Sequence, residues 1–146
     1  MIKQFQFSSS SVFWEESEHY KVVSEYETVY LYFKTREKEP VVIGDFYGDP
    51  TCVLISDDLK YVVMAGCGII IYKLKEPFDD YNYDKPSDQY AEIGRNPPDI
   101  LWVEALYQKG SEDCNYFRFI VDMVDKGEED IIFRVNSETL EVERLG

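Results

Sequence analysis

Apolar and polar side chains alternate with a period of two along most of this chain. In residues 26–33 (YETVYLYF), tyrosine and threonine occupy one set of positions and valine, leucine and phenylalanine occupy the other. Because successive side chains of a strand point to opposite faces, this alternation predicts a strand with one apolar face. The next segment lies between Pro40 and Pro50, and Gly44 inside it indicates a bulge.

The densest apolar stretch, residues 51–74, divides into three runs, CVLI, YVVMA and IIIY. Residues 56–59 (SDDL) and 66–68 (GCG) separate the runs and are typical turn sequences, since aspartate caps a turn and glycine supplies positive φ. The runs are apolar on both faces, which favours central strands covered on both sides. The predicted antiparallel strands span residues 51–55, 61–65 and 69–74.

Alternation returns in residues 100–110, which could form a strand or a short helix; we predict the strand. Residues 115–146 predict three antiparallel strands joined at DKGEED and NSETL. In the last hairpin, three residues are expected to pack inward opposite Leu140 and Val142; they are Ile131, Phe133 and Val135. A buried phenylalanine in this position would make Phe133→Ala cost about 3–5 kcal/mol.

A short helix is the prediction for residues 11–26 near the N-terminus, although their apolar stripe is interrupted. The whole chain, residues 1–146, is predicted to be one all-β or predominantly β domain. Its antiparallel meander would form a sandwich or a strongly curved sheet. The strand–turn rhythm of residues 52–74 resembles one β-propeller blade. A ring needs at least four blades of about 40 residues, however, so a propeller is not predicted.

Charge narrows the classes of partner. The 146 residues include 15 basic and 29 acidic side chains, for a formal net charge of −14. This field repels nucleic acid and anionic membranes, whereas it attracts a basic protein, a basic peptide or a cation. The alternative explanation is that excess acidic residues serve solubility alone.

The cysteines and the chain start predict a cytoplasmic protein. Cys52, Cys67 and Cys114 are odd in number and form no C-x-x-C pair, which favours a reducing compartment. The first eleven residues contain no apolar signal-peptide core. No apolar run reaches the roughly 18–20 residues that a membrane span requires.

Motifs for catalysis or cofactor binding are missing from the sequence. His19 is the single histidine and lies in the charged stretch EESEHYK, where a solvated surface position is expected. No phosphate-binding glycine loop occurs, and adjacent acids in turns are expected to be solvated turn residues. We therefore predict neither an enzyme nor a cofactor.

One partial calcium-loop pattern occurs at Asp80-x-Asn82-x-Asp84. Lys85 occupies the position that requires glycine, and Ala91 occupies that of the bidentate glutamate. We expect no tight calcium site, although a calcium site of another type stays open as an alternative.

The candidate binding segment is residues 75–99, where acids and aromatic rings crowd a stretch with no predicted strand. A connection this long inside a compact domain is usually functional or disordered. Its tyrosines would provide rigid contact area, and its acids would steer a basic partner. The alternative is a solvated loop whose rings fold back onto the sheet. The predicted partner-binding residues are Asp79, Asp80, Tyr81, Tyr83, Asp84, Asp88 and Tyr90, and the tyrosine face of residues 26–33 is the next candidate.

In overall character, a small, acidic, β-rich chain without catalytic motifs resembles the immunity proteins that bacteria carry against polymorphic or contact-delivered toxins. The resemblance implies stoichiometric binding to one basic toxin domain, often a nuclease, whose active site is occluded. Other classes stay open: a calcium- or carbohydrate-binding β module, an enzyme without a recognisable motif, or a structural β domain. A toxin-like reading frame beside the gene would favour the immunity protein. The pattern does not predict the oligomeric state.

Overall fold

The computed structural model describes residues 11–97, 100–109, 115–122 and 131–145. Within these ranges the chain is all-β, and twelve strands form three four-stranded antiparallel sheets. The first sheet contains β1 (Ser11–Glu16), β2 (Tyr20–Glu25), β3 (Thr28–Phe33) and β4 (Val41–Asp45). The second contains β5 (Cys52–Ile55), β6 (Tyr61–Gly66), β7 (Gly68–Lys73) and β8 (Tyr90–Ile93). The third contains β9 (Val103–Tyr107), β10 (Tyr116–Val121), β11 (Ile131–Asn136) and β12 (Val142–Arg144).

The three sheets are successive meanders, because the strands of each sheet follow one another in chain order. The first strands of neighbouring sheets lie side by side, with β1 against β5 and β5 against β9. The second sheet therefore lies between the other two, an arrangement like that of consecutive propeller blades. The described strands provide three such sheets, fewer than a complete propeller has. None of the described segments is a helix long and apolar enough to cross a membrane.

Two apolar clusters hold the sheets together, and the middle sheet contributes to both. Alternate side chains of β6 and β7 pack against the first sheet, among them Val62, Met64 and Tyr72. The intervening ones, such as Val63 and Ile71, pack against the third sheet. The prediction of central antiparallel strands covered on both sides is therefore confirmed, with β5, β6 and β7 within about one residue of the expected bounds.

The predicted N-terminal helix is wrong. Residues 11–26 contain β1 and β2, which pair antiparallel with a register shift between Phe13 and Glu15. Ser24 is buried in β2 at a position where an apolar residue would be expected, and Trp14 Nε1 donates a 2.8 Å hydrogen bond to its hydroxyl. This polar residue breaks the apolar period of the strand. Pairing between neighbouring strands, which local pattern does not report, determines the structure of the segment.

The alternation of residues 26–33 is confirmed from Thr28 onward, because Val29, Leu31 and Phe33 are buried and the intervening residues are half-buried. The bulge near Gly44 is also present, as a register shift between β3 and β4. A Cβ atom on Gly44 would lie 2.8 Å from Met64 Sδ. Glycine at this position therefore lets the first sheet pack closely on the second.

The expectation that residues 75–99 hold no strand is also wrong, because β8 pairs antiparallel with β7. β8 has only four residues, of which one is buried, two are half-buried and one is exposed, so it is too short to show a period. Its formation depends on the free edge that β7 offers to a returning chain.

The C-terminal strands follow the prediction in part. Ile131 and Val135 are buried, and Phe133 is half-buried with its ring stacked on Phe119 at 5.4 Å. Val142 pairs with Val135 but is 44% exposed, so its predicted inward packing is wrong. The reason is that β12 is the outer strand of the third sheet and packs mainly on β11. Cys114 and the DKGEED turn lie outside the described residues.

Phe119 tests the second cluster. Phe119→Ala should lower the free energy of unfolding by about 3–5 kcal/mol, because the ring is fully buried. Phe133→Ala should cost less, since this ring is half-buried. Urea denaturation measures both, with Val142→Ala as an exposed control that should stay within about 0.5 kcal/mol of the parent. A loss below about 1 kcal/mol for Phe119→Ala would contradict the assigned core.

Glu15 connects the first two sheets, since its carboxylate accepts a 3.1 Å hydrogen bond from Ile55 N. Burial raises the pKa of Glu15 above its ordinary value of 4.5; the Ile55 hydrogen bond opposes this and Asp57 adds to it. A raised carboxyl pKa means that the folded state disfavours the ionised form. The cost of ionised Glu15 is therefore absent well below pH 4.5 and grows as pH rises through the folded-state pKa.

Glu15→Gln keeps the acceptor for Ile55 and removes the charge. We expect this variant to be more stable than the parent at pH 7, with a difference that narrows below pH 4.5. Denaturant melts across this pH range measure the effect. The neighbouring Glu16→Gln is the control, because Lys34 lowers the pKa of Glu16 and its removal should not stabilise. Lower stability of Glu15→Gln at pH 7 would contradict the assigned cost.

Candidate functional site

The segment proposed from the sequence as a contact loop is divided between surface and core. All four acids of the predicted contact set are exposed, and so is one of its three tyrosines; these exposed residues are Asp79, Asp80, Asp84, Asp88 and Tyr83. Tyr81 and Tyr90 are buried, and their rings make an edge-to-face contact at 4.8 Å. The prediction that they are exposed contact residues is therefore wrong. Folding back of the rings, the alternative from the sequence, describes these two tyrosines.

Tyr90 organises the turn that carries Tyr83. Its hydroxyl lies 2.9 Å from the carbonyl oxygen of Asn82 and 2.5 Å from that of Lys85, and it accepts the Asn82 N–H at 3.2 Å. Asn82 Oδ1 in turn accepts a 2.9 Å hydrogen bond from Asp84 N. A buried hydroxyl thus holds residues 82–85 in place, and Tyr83 extends outward from this turn.

The acidic start of the segment is attached to both neighbouring strands. Asp80 Oδ1 accepts a hydrogen bond from Val42 N at 3.0 Å, and Tyr81 N donates to Val42 O at 2.7 Å. On the other side, the buried Gln89 accepts from Asp79 N at 3.1 Å through its side-chain oxygen. These bonds determine where Asp79 and Asp80 lie, so the acids belong to an ordered part of the fold.

Two further exposed rings lie at the same end of the fold as Tyr83. Tyr47, in the β4–β5 connection, is 81% exposed, and Trp102, just before β9, is 44% exposed; Tyr83 itself is 73% exposed. Tyr47 lines two clefts, one of about 420 Å³ with Tyr83 and one of about 280 Å³ with Trp102. The three rings therefore border one continuous surface.

Carboxylates surround these rings. The first cleft is lined by Glu27, Asp45 and Glu92, and the second by Asp49, Glu104 and Asp122. We call these six acids together with Tyr47, Tyr83 and Trp102 the acidic–aromatic surface. It collects residues from the β2–β3 turn, the β4–β5 connection, the region around β8 and the ends of β9 and β10.

Arg95 is the one basic residue among the described residues that line the two clefts. Its guanidinium donates to Cys67 O at 2.7 Å and to Asp45 O at 2.6 Å, and its Nε lies 3.4 Å from Glu92 Oε1. It also stacks over the Phe46 ring at 4.7 Å. Because these contacts occupy Arg95 within the fold, it joins the strand ends and leaves the surface strongly acidic.

The buried Tyr81 contacts both Glu92 and Arg95. Its hydroxyl donates to Glu92 and lies 3.3 Å from Arg95 Nη2. Burial, and next the hydrogen bond to Glu92, raise the pKa of Tyr81 above its usual range. The phenol therefore stays protonated at neutral pH and orients the Glu92 carboxylate.

Tyr47 and Trp102 were not among the binding residues predicted from the sequence, because they are far apart in the chain and neither lies in an acidic run. The one local signal is the stretch YGDP that begins at Tyr47, where a large ring precedes a turn. Joining Tyr47, Tyr83 and Trp102 required the order of the strands. In the next candidate from the sequence, the tyrosine face of residues 26–33, Tyr30 and Tyr32 are half-buried, whereas Tyr26 is 67% exposed.

The arrangement is suited to binding. His19 is exposed as predicted, and its Nδ1 lies 3.1 Å from Thr35 Oγ1. Within the described ranges, no group of three or more His, Cys, Asp or Glu side chains is placed to hold a metal ion. In the partial calcium loop, Asp80 and Asn82 direct side-chain oxygens to backbone N–H groups. That the protein has no tight calcium site stays a prediction, which titration calorimetry would test.

Comparison with known proteins found no matching family model, no matching curated protein and no matching solved structure. A functional proposal for this chain therefore depends on its own residues and geometry.

Tyr90→Phe tests the support of the Tyr83 turn. Removing the hydroxyl leaves the Asn82 and Lys85 carbonyls without this donor, so we expect a loss of about 1–2 kcal/mol in unfolding free energy. The Lys85 amide, which donates to Asn82 O at 3.1 Å, should exchange its hydrogen faster. Tyr83→Phe is the matched control, because its ring is exposed and should give neither effect. Equal protection of the Lys85 amide in both variants would contradict the role of Tyr90.

Proposed function

We propose that this chain is a protein-binding domain that binds a basic protein through the acidic–aromatic surface. The observation that carries the proposal is the grouping of Tyr47, Tyr83 and Trp102, all exposed, among six carboxylates. Tyrosine and tryptophan are enriched at the centres of protein interfaces because they bury large areas at low entropic cost. Surface carboxylates accelerate encounter with a basic partner.

The electrostatics of this surface support a basic partner over an anionic one. Arg95 is occupied by backbone carbonyls and Glu92, so an approaching molecule meets carboxylates and ring faces. Arginine and lysine side chains bind both groups, through ion pairs and through cation–π contacts. The net charge of −14 adds a long-range attraction for a positively charged partner.

The narrower form of the proposal is an immunity-type inhibitor that neutralises a basic toxin domain, such as a nuclease, in the cytoplasm. The small size, the acidic composition and the all-β fold support it. In this form the domain acts by stoichiometric occlusion, and no catalytic residue is assigned. A carbohydrate- or calcium-binding module is the alternative function.

The test begins with pull-down by the product of the adjacent gene. Tyr47→Ala and Tyr83→Ala should accelerate dissociation of the complex and, where the ring is an energetic centre, cost about 2 kcal/mol or more. The control is Phe13→Ala, which truncates an exposed ring on β1 outside the acidic–aromatic surface. Surface plasmon resonance separates the association and dissociation rates.

The acids should act differently from the rings. Asp49→Asn, and Asp88→Asn in the loop predicted from the sequence, should slow association and weaken its dependence on salt, because peripheral charges act mainly by steering. Unchanged kinetics for the ring variants in a genuine complex would place the interface elsewhere on the molecule. Binding of a sugar rather than a protein would favour the alternative module.

A further inference from the structure

Three lysines line one pocket at the opposite end of the fold from the acidic–aromatic surface. Lys60, Lys73 and Lys75 line a pocket of about 260 Å³ with Leu59, Tyr61 and Leu74, and no carboxylate is among its described lining residues. The pocket lies where β6 begins and β7 ends, whereas the Gly66–Gly68 turn between these strands lies by the second acidic cleft. The strands therefore separate this basic pocket from the acidic end.

The backbone that carries the lysines is held in place. Leu74 N donates to Lys60 O at 2.8 Å, which joins the β5–β6 turn to the end of β7. The buried Gln89 donates from Nε2 to Lys73 O at 2.7 Å and to Lys75 O at 3.0 Å. The three lysines thus extend from a backbone that is already ordered, so a ligand has to order only their side chains.

The acids adjacent in sequence have other partners. Asp58 Oδ1 accepts hydrogen bonds from Ser56 Oγ at 2.6 Å and from Lys60 N at 3.0 Å. Glu76 forms an ion pair with Arg36 at 2.7 Å. The charged groups among the described residues that line the pocket are therefore lysines alone, although the whole chain is acidic.

Leu59 is a second, independent sign of a site. Its φ is +62° and its side chain is 47% exposed, so an apolar group lies in water on a backbone that favours glycine or asparagine. The Leu59 N–H closes the turn with Ser56 O at 2.8 Å, which glycine would do without strain. A leucine in this position provides an apolar wall for the pocket.

We propose that this pocket binds a phosphate monoester with an apolar body. A phosphate group carries close to two negative charges at neutral pH and three acceptor oxygens, which the three lysine ammonium groups can contact together. The apolar body would lie against Leu59 and Tyr61. A single carboxylate would leave more of the lysine charge uncompensated. This site is independent of the proposed partner surface.

The test uses phenyl phosphate as the probe, with inorganic phosphate for comparison, in calorimetric titrations at low salt. Phenyl phosphate should bind, and more tightly than inorganic phosphate. Lys60→Met and Lys75→Met should each weaken its binding by about three- to tenfold. Lys85→Met makes the same charge change on an exposed lysine outside the pocket and should leave the affinity within about twofold.

Leu59→Gly distinguishes the contribution of the Leu59 side chain to ligand binding from any effect on folding stability. Its turn should be at least as stable in thermal melts, because the positive φ no longer carries strain, and the preference for phenyl phosphate over inorganic phosphate should disappear. No detectable binding of phenyl phosphate at millimolar concentration would overturn the proposal. So would equal losses for Lys85→Met and the pocket variants. A phosphotyrosine peptide that binds where phenyl phosphate does not would overturn the small-ligand assignment in favour of a phosphorylated protein.

Discussion

The middle sheet packs against an apolar cluster on each of its two faces. β6 and β7 carry almost unbroken apolar runs, so one covering layer would leave half of their side chains in water. The first and third sheets supply the two layers, and each forms its own cluster with one set of alternate residues. The stacking of three meanders follows from this requirement.

Antiparallel pairing then distributes the connections between two ends of the stack. The Glu27 turn, the Tyr47 connection and the Gly66–Gly68 turn come to one end, and the Leu59 turn and the end of β7 come to the other. At Gly68, φ is +83° and a Cβ atom would lie 2.7 Å from Arg95 Cδ. Glycine there lets Arg95 approach the turn and join the sheets beside the acidic–aromatic surface.

The charged side chains are also divided between the two ends of the stack. Carboxylates and exposed rings collect at one end around a guanidinium that binds two backbone carbonyls and Glu92, and lysines line a pocket at the other. Gln89 and Tyr90, both buried in or beside β8, position residues of both ends. Through their hydrogen bonds, Tyr90 holds the Tyr83 turn and Gln89 holds the backbone of Lys73 and Lys75. One short strand thus supports two surfaces of opposite charge.

The β class, the central strands and the acidic character could be predicted from the residues alone, because alternation, two-faced apolar runs and charge are local properties of the chain. The sequence also placed Tyr83 and the exposed acids of residues 79–88 correctly. Three features became visible in the folded chain alone: Tyr81 and Tyr90 turn inward, residues 11–26 form strands, and Tyr47 and Trp102 join Tyr83. These outcomes depend on pairing between distant segments. The local sequence around a tyrosine next to an aspartate is the same whether a neighbouring sheet covers the ring or water does.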